Sequence, residues 1–181
     1  MKPEITDPDV KMLAAISGTV SADYAQAGES WVGSPFAWIK LHSSRRRGKI
    51  GEQLVAGFLA AKGFDVARAT GSSADRLVNG CRAEIKFSTL WETGVYKFQQ
   101  IRDQDYKILI CLGVSPFDAH CWAIPKTALI RPLAGFAGQH TGSTGKDTSW
   151  LSVNPDLAHD WLSPFGGRLR DAMSSLKKCA K

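Results

Sequence analysis

Asp75, Glu84 and Lys86 are the residues of this chain whose types and spacing suggest chemistry. They lie in the stretch Asp-Arg-Leu-Val-Asn-Gly-Cys-Arg-Ala-Glu-Ile-Lys-Phe-Ser, from Asp75 to Ser88, where an acidic residue is followed by an Asn79-Gly80 turn and then by alternating polar and apolar positions. Side chains alternate faces along a strand, so Arg82, Glu84, Lys86 and Ser88 point one way and Cys81, Ala83, Ile85 and Phe87 the other. One face is expected to be core. The other presents a carboxylate and an ammonium, groups able to hold a cation and to move protons. A surface strand of an antiparallel sheet alternates in the same way, and Glu-x-Lys on it is an ordinary solvated ion pair that adds little stability. The surrounding elements must decide between the two.

Upstream, Ile50 to Lys62 carries a strong helical pattern that Gly63 ends. Ile50, Leu54, Val55, Phe58, Leu59 and Ala61 form a wide apolar arc suited to packing on a sheet. Glu52 falls at the edge of that arc, half-buried and in need of a partner. That partner is either a neighbouring Arg in a salt bridge or the site shared by Asp75 and Glu84. Immediately before this helix, Arg45, Arg46, Arg47 and Lys49 form the densest positive cluster, which is either a solvated face or a phosphate-contacting surface.

Between helix and central strand, Phe64 to Thr70 reads as a first strand and Gly71-Ser72-Ser73 as a flexible loop delivering Asp75. Downstream, Tyr96 to Gln104 is expected to form a short helix carrying Gln99, Gln100 and Arg102, with Phe98 and Ile101 inward. Tyr106 to Val114 is an unbroken apolar strand of the kind buried on both faces. His120 to Ile124 is another strand, and Pro125-Lys126 leads into a helical or turn segment ending near Pro132. Gly135 to Ser149 is rich in Gly, Ser and Thr and cannot build core. It is either a plain surface connection or a loop whose amides, hydroxyls, His140 and Lys146 touch phosphates or base edges. A basic helix with Leu169, Met173 and Leu176 closes the chain. At the other end, Thr6-Asp7-Pro8 caps a helix with Met12, Leu13 and Ile16 at helical spacing, and Ser34-Pro35 caps a short helix burying Phe36 and Ile39.

The chain has 181 residues, 44% hydrophobic and 22% charged, which suits one ordinary globular domain able to bury its own core. A formal net charge of +6 favours polyanionic partners. No apolar run suits a signal peptide, and none approaches the ~20 residues needed to span a bilayer, so no membrane association and a cytoplasmic location are expected. Cys81, Cys111, Cys121 and Cys179 are far apart, with no C-x-x-C or zinc-type His spacing, and three of them sit in strand-like segments as buried reduced thiols. There is no internal repeat, and no G-x-x-x-x-G-K-[ST] loop, which removes an NTPase reading.

In the order helix with Glu52, strand, loop with Asp75, strand with Glu84 and Lys86, helix with Gln99 and Gln100, strand and strand, the chain resembles the PD-(D/E)xK nuclease superfamily, most of all a small type II restriction endonuclease. The resemblance runs from about Ser34 to Lys126. The Gln-His…Gly-Lys-Asp-Thr-Ser-Trp-Leu segment is similar to a stretch in small restriction-enzyme-like nucleases. Ala74 stands where the family often has the proline before Asp75.

This resemblance implies an α/β fold with a restriction-endonuclease-like core, a mixed central sheet flanked by helices. The single nuclease domain would have its catalytic core at about 34–126, a helical extension at 1–33 and a loop and C-terminal helix at 135–181. It implies Mg2+-dependent hydrolysis of phosphodiester bonds in double-stranded DNA, by a homodimer if the site read is palindromic. Asp75, Glu84, the Ile85 carbonyl and Glu52 would hold the metal. Lys86 would orient or deprotonate the attacking water, and Gln99 or Gln100 would support the site. Arg45, Arg46, Arg47, Lys49, Arg102, His140 and Lys146 would contact DNA. Converging carboxylates repel by about 4 kcal/mol per pair at 4 Å and an effective dielectric near 20, so a cation belongs among them. Oxygen ligands select Mg2+, with Mn2+ as substitute and Zn2+ disfavoured. A repair, phage or junction-resolving nuclease, a non-catalytic DNA-binding protein and a subunit of a larger nuclease assembly stay open beside this.

Overall fold

The computed structural model describes residues 6–23, 30–71, 74–133 and 149–179. Helices α1 (Pro8–Asp23), α2 (Ala37–Lys40) and α3 (Ser44–Ala61) come first. Strands β1 (Val66–Arg68), β2 (Arg76–Val78), β3 (Cys81–Thr89), β4 (Tyr96–Ile101), β5 (Ile108–Val114) and β6 (Ala119–Pro125) follow. Then come α4 (Lys126–Leu133), β7 (Ser149–Val153), a 3-10 turn (Asp160–Phe165), β8 (Gly166–Arg168) and α5 (Leu169–Cys179).

Six strands form one mixed sheet in the order β1-β2-β3-β5-β6-β8, with β3 and β5 parallel and the other neighbours antiparallel. The fold is therefore α/β, a mixed central sheet flanked by helices. Its middle strand β5 is buried along its whole length, which is why Ile-Leu-Ile-Cys-Leu-Gly-Val shows no polar alternation. Ile108, Ile110, Leu112 and Val114 face one apolar cluster with Val55 and Leu59 of α3 and Ala172, Met173 and Leu176 of α5. Leu109 and Cys111 face the opposite cluster, built with Tyr96, Phe98, Leu151 and Val153 of a second, two-stranded sheet formed by β4 and β7. Leu129 and Leu162 complete that side.

Several expectations are corrected here. Tyr96 to Gln104 is not a helix: Tyr96–Ile101 is a strand paired antiparallel with β7. The pairing runs Phe98↔Leu151 and then Ile101↔Ser149, one residue too many on β4, with Gln100 at φ +56°. A bulge of this kind inserts one residue into a strand, so two inward positions stand three apart and imitate a helical stripe. The basic cluster does not precede the helix but forms its first turns, since α3 starts at Ser44. The first strand is only three residues long, and β2, β7 and β8, the last two short and far along the chain, were not anticipated. β3 is no surface strand. It lies between β2 and β5, and Glu84 is 8% exposed.

Other features match the local reading. The Asn79-Gly80 turn joins β2 to β3 with both residues at positive φ. Phe36 N–H donates to Ser34 Oγ at 3.0 Å ahead of α2, where Ile39 is fully buried. Cys111 and Cys121 are buried thiols as expected, and burial pushes Cys121 up to about 12, whereas Cys81 is only partly buried. Val10, Met12, Leu13 and Ile16 of α1 are all exposed. No described helix is long and apolar enough to cross a membrane.

Candidate active site

The site begins with a close approach between helix and sheet. Gly51 of α3 lies directly on Phe87 of β3, the apolar-facing neighbour of Lys86. With no side chain in the way, the helix comes down onto the strand, and the next residue, Glu52, reaches the start of β2, at the end away from the Asn79-Gly80 turn.

There Asp75 precedes β2, and its backbone N–H donates to the Ala83 carbonyl at 3.0 Å, tying it to β3. Its side chain turns back along the same pair of strands, and Oδ2 accepts the Ile85 N–H at 2.8 Å. The aspartate is thereby locked beside Glu84. Lys86 Nζ stands 2.9 Å from Glu84 Oε1 on the polar face of β3. Burial pushes the Asp75 carboxyl above the ordinary aspartate range. The Ile85 N–H opposes this, the Glu52 charge adds to it, and Lys86 and Arg76 pull it down. Burial likewise raises Glu84, against the pull of Lys86 and with a further push from Asp75 and Glu52. Two carboxylates left partly desolvated and feeling one another's charge form a site that a cation would relieve.

Glu52 is held differently. Its Oε2 is 2.8 Å from Lys49 Nζ and 3.7 Å from Nη2 of the buried Arg76, whose Nη1 donates to the Asp75 carbonyl at 2.8 Å. Arg76 therefore bridges the Glu52 side chain and the Asp75 backbone. The salt bridge and the shared site, posed as alternatives from the sequence, coexist: Glu52 is ion-paired and still lines the same cleft as Asp75 and Glu84.

That cleft, of about 580 Å³, gathers residues from four elements. Glu84, Ile85, Lys86, Phe87, Ser88 and Thr89 come from β3, and Gln99 and Gln100 from β4. Asp75 stands at the start of β2, and Ser44, Arg45, Arg47, Gly48 and Glu52 come from α3. Arg46 and Lys49 line an adjoining concavity that shares Arg45, Gly48 and Glu52. Arg102 is exposed beyond β4 and does not line the cleft. His140 and Lys146 lie outside the described residues.

No family model matches the sequence, and no curated protein matches it. Among solved structures the chain is similar to a bacterial homing endonuclease, I-Ssp6803I, at 14% identity and a TM-score of 0.48, over 76% of this chain and 95% of that one.

Among the described residues, no three His, Cys, Asp or Glu side chains stand close enough to hold an ion by themselves. Two carboxylates that share one cleft do not make a closed metal cage of the zinc type. They suit Mg2+, which keeps several of its waters and is commonly held by one or two carboxylates together with substrate phosphates. The donors present fit such an ion, which Asp75 and Glu84 would hold through their side chains.

Three participants escaped the sequence reading. Arg76 was passed over as the neighbour of Asp75, although a cation next to a candidate ligand is itself a signal of charge balance. Trp91 and Lys97 also line the cleft, with Lys97 Nζ 3.9 Å from the Trp91 ring centroid. The hint was a tryptophan opening the Glu92-Thr93-Gly94 turn, where no core is at hand to bury it.

Proposed function

We propose that this chain is a metal-dependent endonuclease that hydrolyses phosphodiester bonds in double-stranded DNA, with restriction, by a homodimer of the type II kind, as its role. The observation that carries this reading is a single cleft in which Asp75, Glu84 and Lys86 form one wall and Arg45 and Arg47 another. An acidic centre alone would bind a cation, and a basic helix alone would bind an anion. Side by side, they suit a phosphodiester with a divalent ion on it.

The helix adds weight of its own. Arg45, Arg46 and Arg47 occupy the first turn of α3, which contains no acidic residue. The N-terminus of a helix carries a partial positive charge and prefers anions, so cations there cost stability. Cations in that position make a strongly positive surface that a phosphate backbone would satisfy.

Mg2+, when bound, supplies charge neutralisation and polarises the scissile phosphate. The residues of the chain do the rest. Asp75 is oriented by the Ile85 N–H and Glu84 by Lys86, so both ligands are set before the substrate arrives. Lys86 stands close enough to Glu84 to position a water at the phosphorus and to offset the negative charge that builds there. Gln99 and Gln100, presented by the bulge of β4, face this wall from across the cleft and would steady the water or a phosphate oxygen. Arg45 and Arg47 hold the backbone of the strand.

The direct test is nicking of supercoiled plasmid with and without Mg2+. Mg2+-dependent conversion to open-circular and linear DNA by the native protein, lost in Glu84→Gln, is the expected result. No conversion at any divalent concentration, with DNA still bound, would leave a DNA-binding protein without catalysis.

A further inference from the structure

Trp91 begins the turn between β3 and β4, at the end of the cleft away from the carboxylates. Its N–H donates to the Val95 carbonyl at 3.0 Å, and its own carbonyl accepts the Gly94 N–H at 2.9 Å, with Gly94 at φ +73°. The backbone is thus closed into a tight turn that fixes where the ring emerges. Lys97 lies over one part of the ring, its Nζ 3.9 Å from the centroid, and the Lys97 N–H donates to Ser88 Oγ at 3.0 Å. Trp91 is 44% exposed and lines the same cleft as Glu84 and Lys86.

This large aromatic surface on the wall of a polar, charged cleft belongs to neither of the two apolar clusters described above. One side is occupied by an ammonium, an arrangement that favours the negative face of the ring. What remains open is a flat apolar surface of the size of a nucleobase. Within a duplex, both faces of each internal base are covered by its neighbours, so a protein ring can stack only on a base that is unpaired, terminal or turned out. Trp91 is five positions on from Lys86. At about 3.3 Å per residue their Cα atoms are no more than about 17 Å apart, roughly five nucleotide steps of a stacked strand at about 3.4 Å each and fewer of an unstacked one.

We propose that Trp91 stacks on an unpaired base of the strand lying in the cleft, so that the preferred substrate is DNA with an unpaired nucleotide a few steps from the phosphate that is cut. This rests on the endonuclease reading above and narrows its substrate class. Lys97 acts as the positioning residue that holds the ring upright.

The experiment uses the full chain carrying Lys86→Met without divalent ions, so that the DNA stays uncut, and two oligonucleotide duplexes containing 2-aminopurine, one with that base unpaired in a one-nucleotide bulge and one with it paired to thymine. Stacking on tryptophan quenches 2-aminopurine fluorescence. The bulged duplex should be quenched and should bind about 5- to 150-fold more tightly than the paired one, the range that one base stacked on an aromatic ring contributes. Adding Trp91→Ala should erase both the quenching and the preference, and Trp91→Phe should restore much of each. An exposed ring leaves the melting temperature nearly unchanged, so misfolding does not imitate this pattern. Equal affinity for the two duplexes, or a preference that survives Trp91→Ala, would overturn the proposal. If the protein binds both duplexes equally and the native chain cuts paired DNA with Mg2+, the endonuclease reading stands and only this inference falls. If neither duplex binds at low salt, both fall together.

Discussion

A β-carbon placed on Gly51 would come within 2.2 Å of the Phe87 β-carbon, so the first turns of α3 and the middle of β3 are in contact with no room for even one methyl group. This contact sets the height of the helix above the strand, and with it the reach of Glu52 toward Arg76 and Asp75. Neither partner can yield cheaply, because the atom met is the root of the Phe87 side chain and not its flexible end.

Gly51→Ala should therefore destabilise the protein in spite of the better helix propensity of alanine. Overpacking costs about 1–3 kcal/mol, and in a chain of this size each kcal/mol lowers the melting temperature by roughly 2–4 °C. Thermal melting followed by circular dichroism checks this. An unchanged or higher melting temperature would mean that α3 can lift from β3 without loss. At Gly57 on the same helix nothing lies within 4 Å of a β-carbon, so Gly57→Ala is the control and should be neutral or stabilising.

Asp75 gives a prediction of the opposite sign. Its pKa is raised in the folded state from an ordinary 3.8. The stability this group contributes is complete below the unfolded pKa and is lost as pH rises through the higher folded one. At neutral pH the ionised carboxylate thus weighs against the fold. Asp75→Asn keeps an oxygen to accept the Ile85 N–H and removes the charge. The variant should melt higher than the native protein without divalent ions, with a gap that is small near pH 4 and widens toward pH 7. Adding Mg2+ should raise the melting temperature of the native protein by mass action and leave Asp75→Asn where it was. A gap that shrinks as pH rises would show that the hydrogen bond and the nearby cations outweigh burial.

The same locality of interactions explains what could be read from the sequence. The polar face of β3 was legible because period-two alternation follows an Asn-Gly turn, and both signals span only a few residues. The apolar run of β5 was legible because a central strand covered on both faces has nothing to alternate. β4 was misread because its bulge puts Phe98 and Ile101 three residues apart, the spacing of a helix, while the partner that makes it a strand, β7, lies some fifty residues further on. The arc of apolar residues gave α3 correctly from Ile50. Its true start at Ser44 was hidden because arginines at a helix N-terminus contradict the usual preference for acidic ones. Arg76 was hidden for a related reason: its role is to balance Glu52, a residue 24 positions earlier, and pattern within a strand does not carry that information.

Lys86 and Glu84 should separate binding from turnover. Lys86→Met removes the group assigned to the water and leaves the metal ligands, so cleavage should fall by about 10²–10⁴-fold, the usual loss for a positioned proton-transfer group. DNA affinity measured without divalent ions should change little. Glu84→Gln should abolish Mg2+-dependent cleavage while circular dichroism and melting show a folded protein. Cleavage at the native rate by either variant would remove that residue from the site.

The arginines of α3 allow a quantitative check that needs no catalysis. For duplex DNA, log K falls with log salt by about 0.9 for each phosphate neutralised. If Arg45 and Arg47 each contact one phosphate, Arg45→Gln with Arg47→Gln should flatten the slope by nearly 2, whatever the sequence of the DNA. Cations at a helix N-terminus oppose its dipole by about 0.3–1 kcal/mol each, so the double variant should also melt no lower than the native protein, after allowing for the hydrogen bond that Arg47 donates to Ser44 Oγ at 3.2 Å. Weaker binding together with undiminished stability is the combination expected of residues kept for a ligand and not for the fold. An unchanged slope would return these arginines to the solvated surface and leave the carboxylate wall without its phosphate-holding partner.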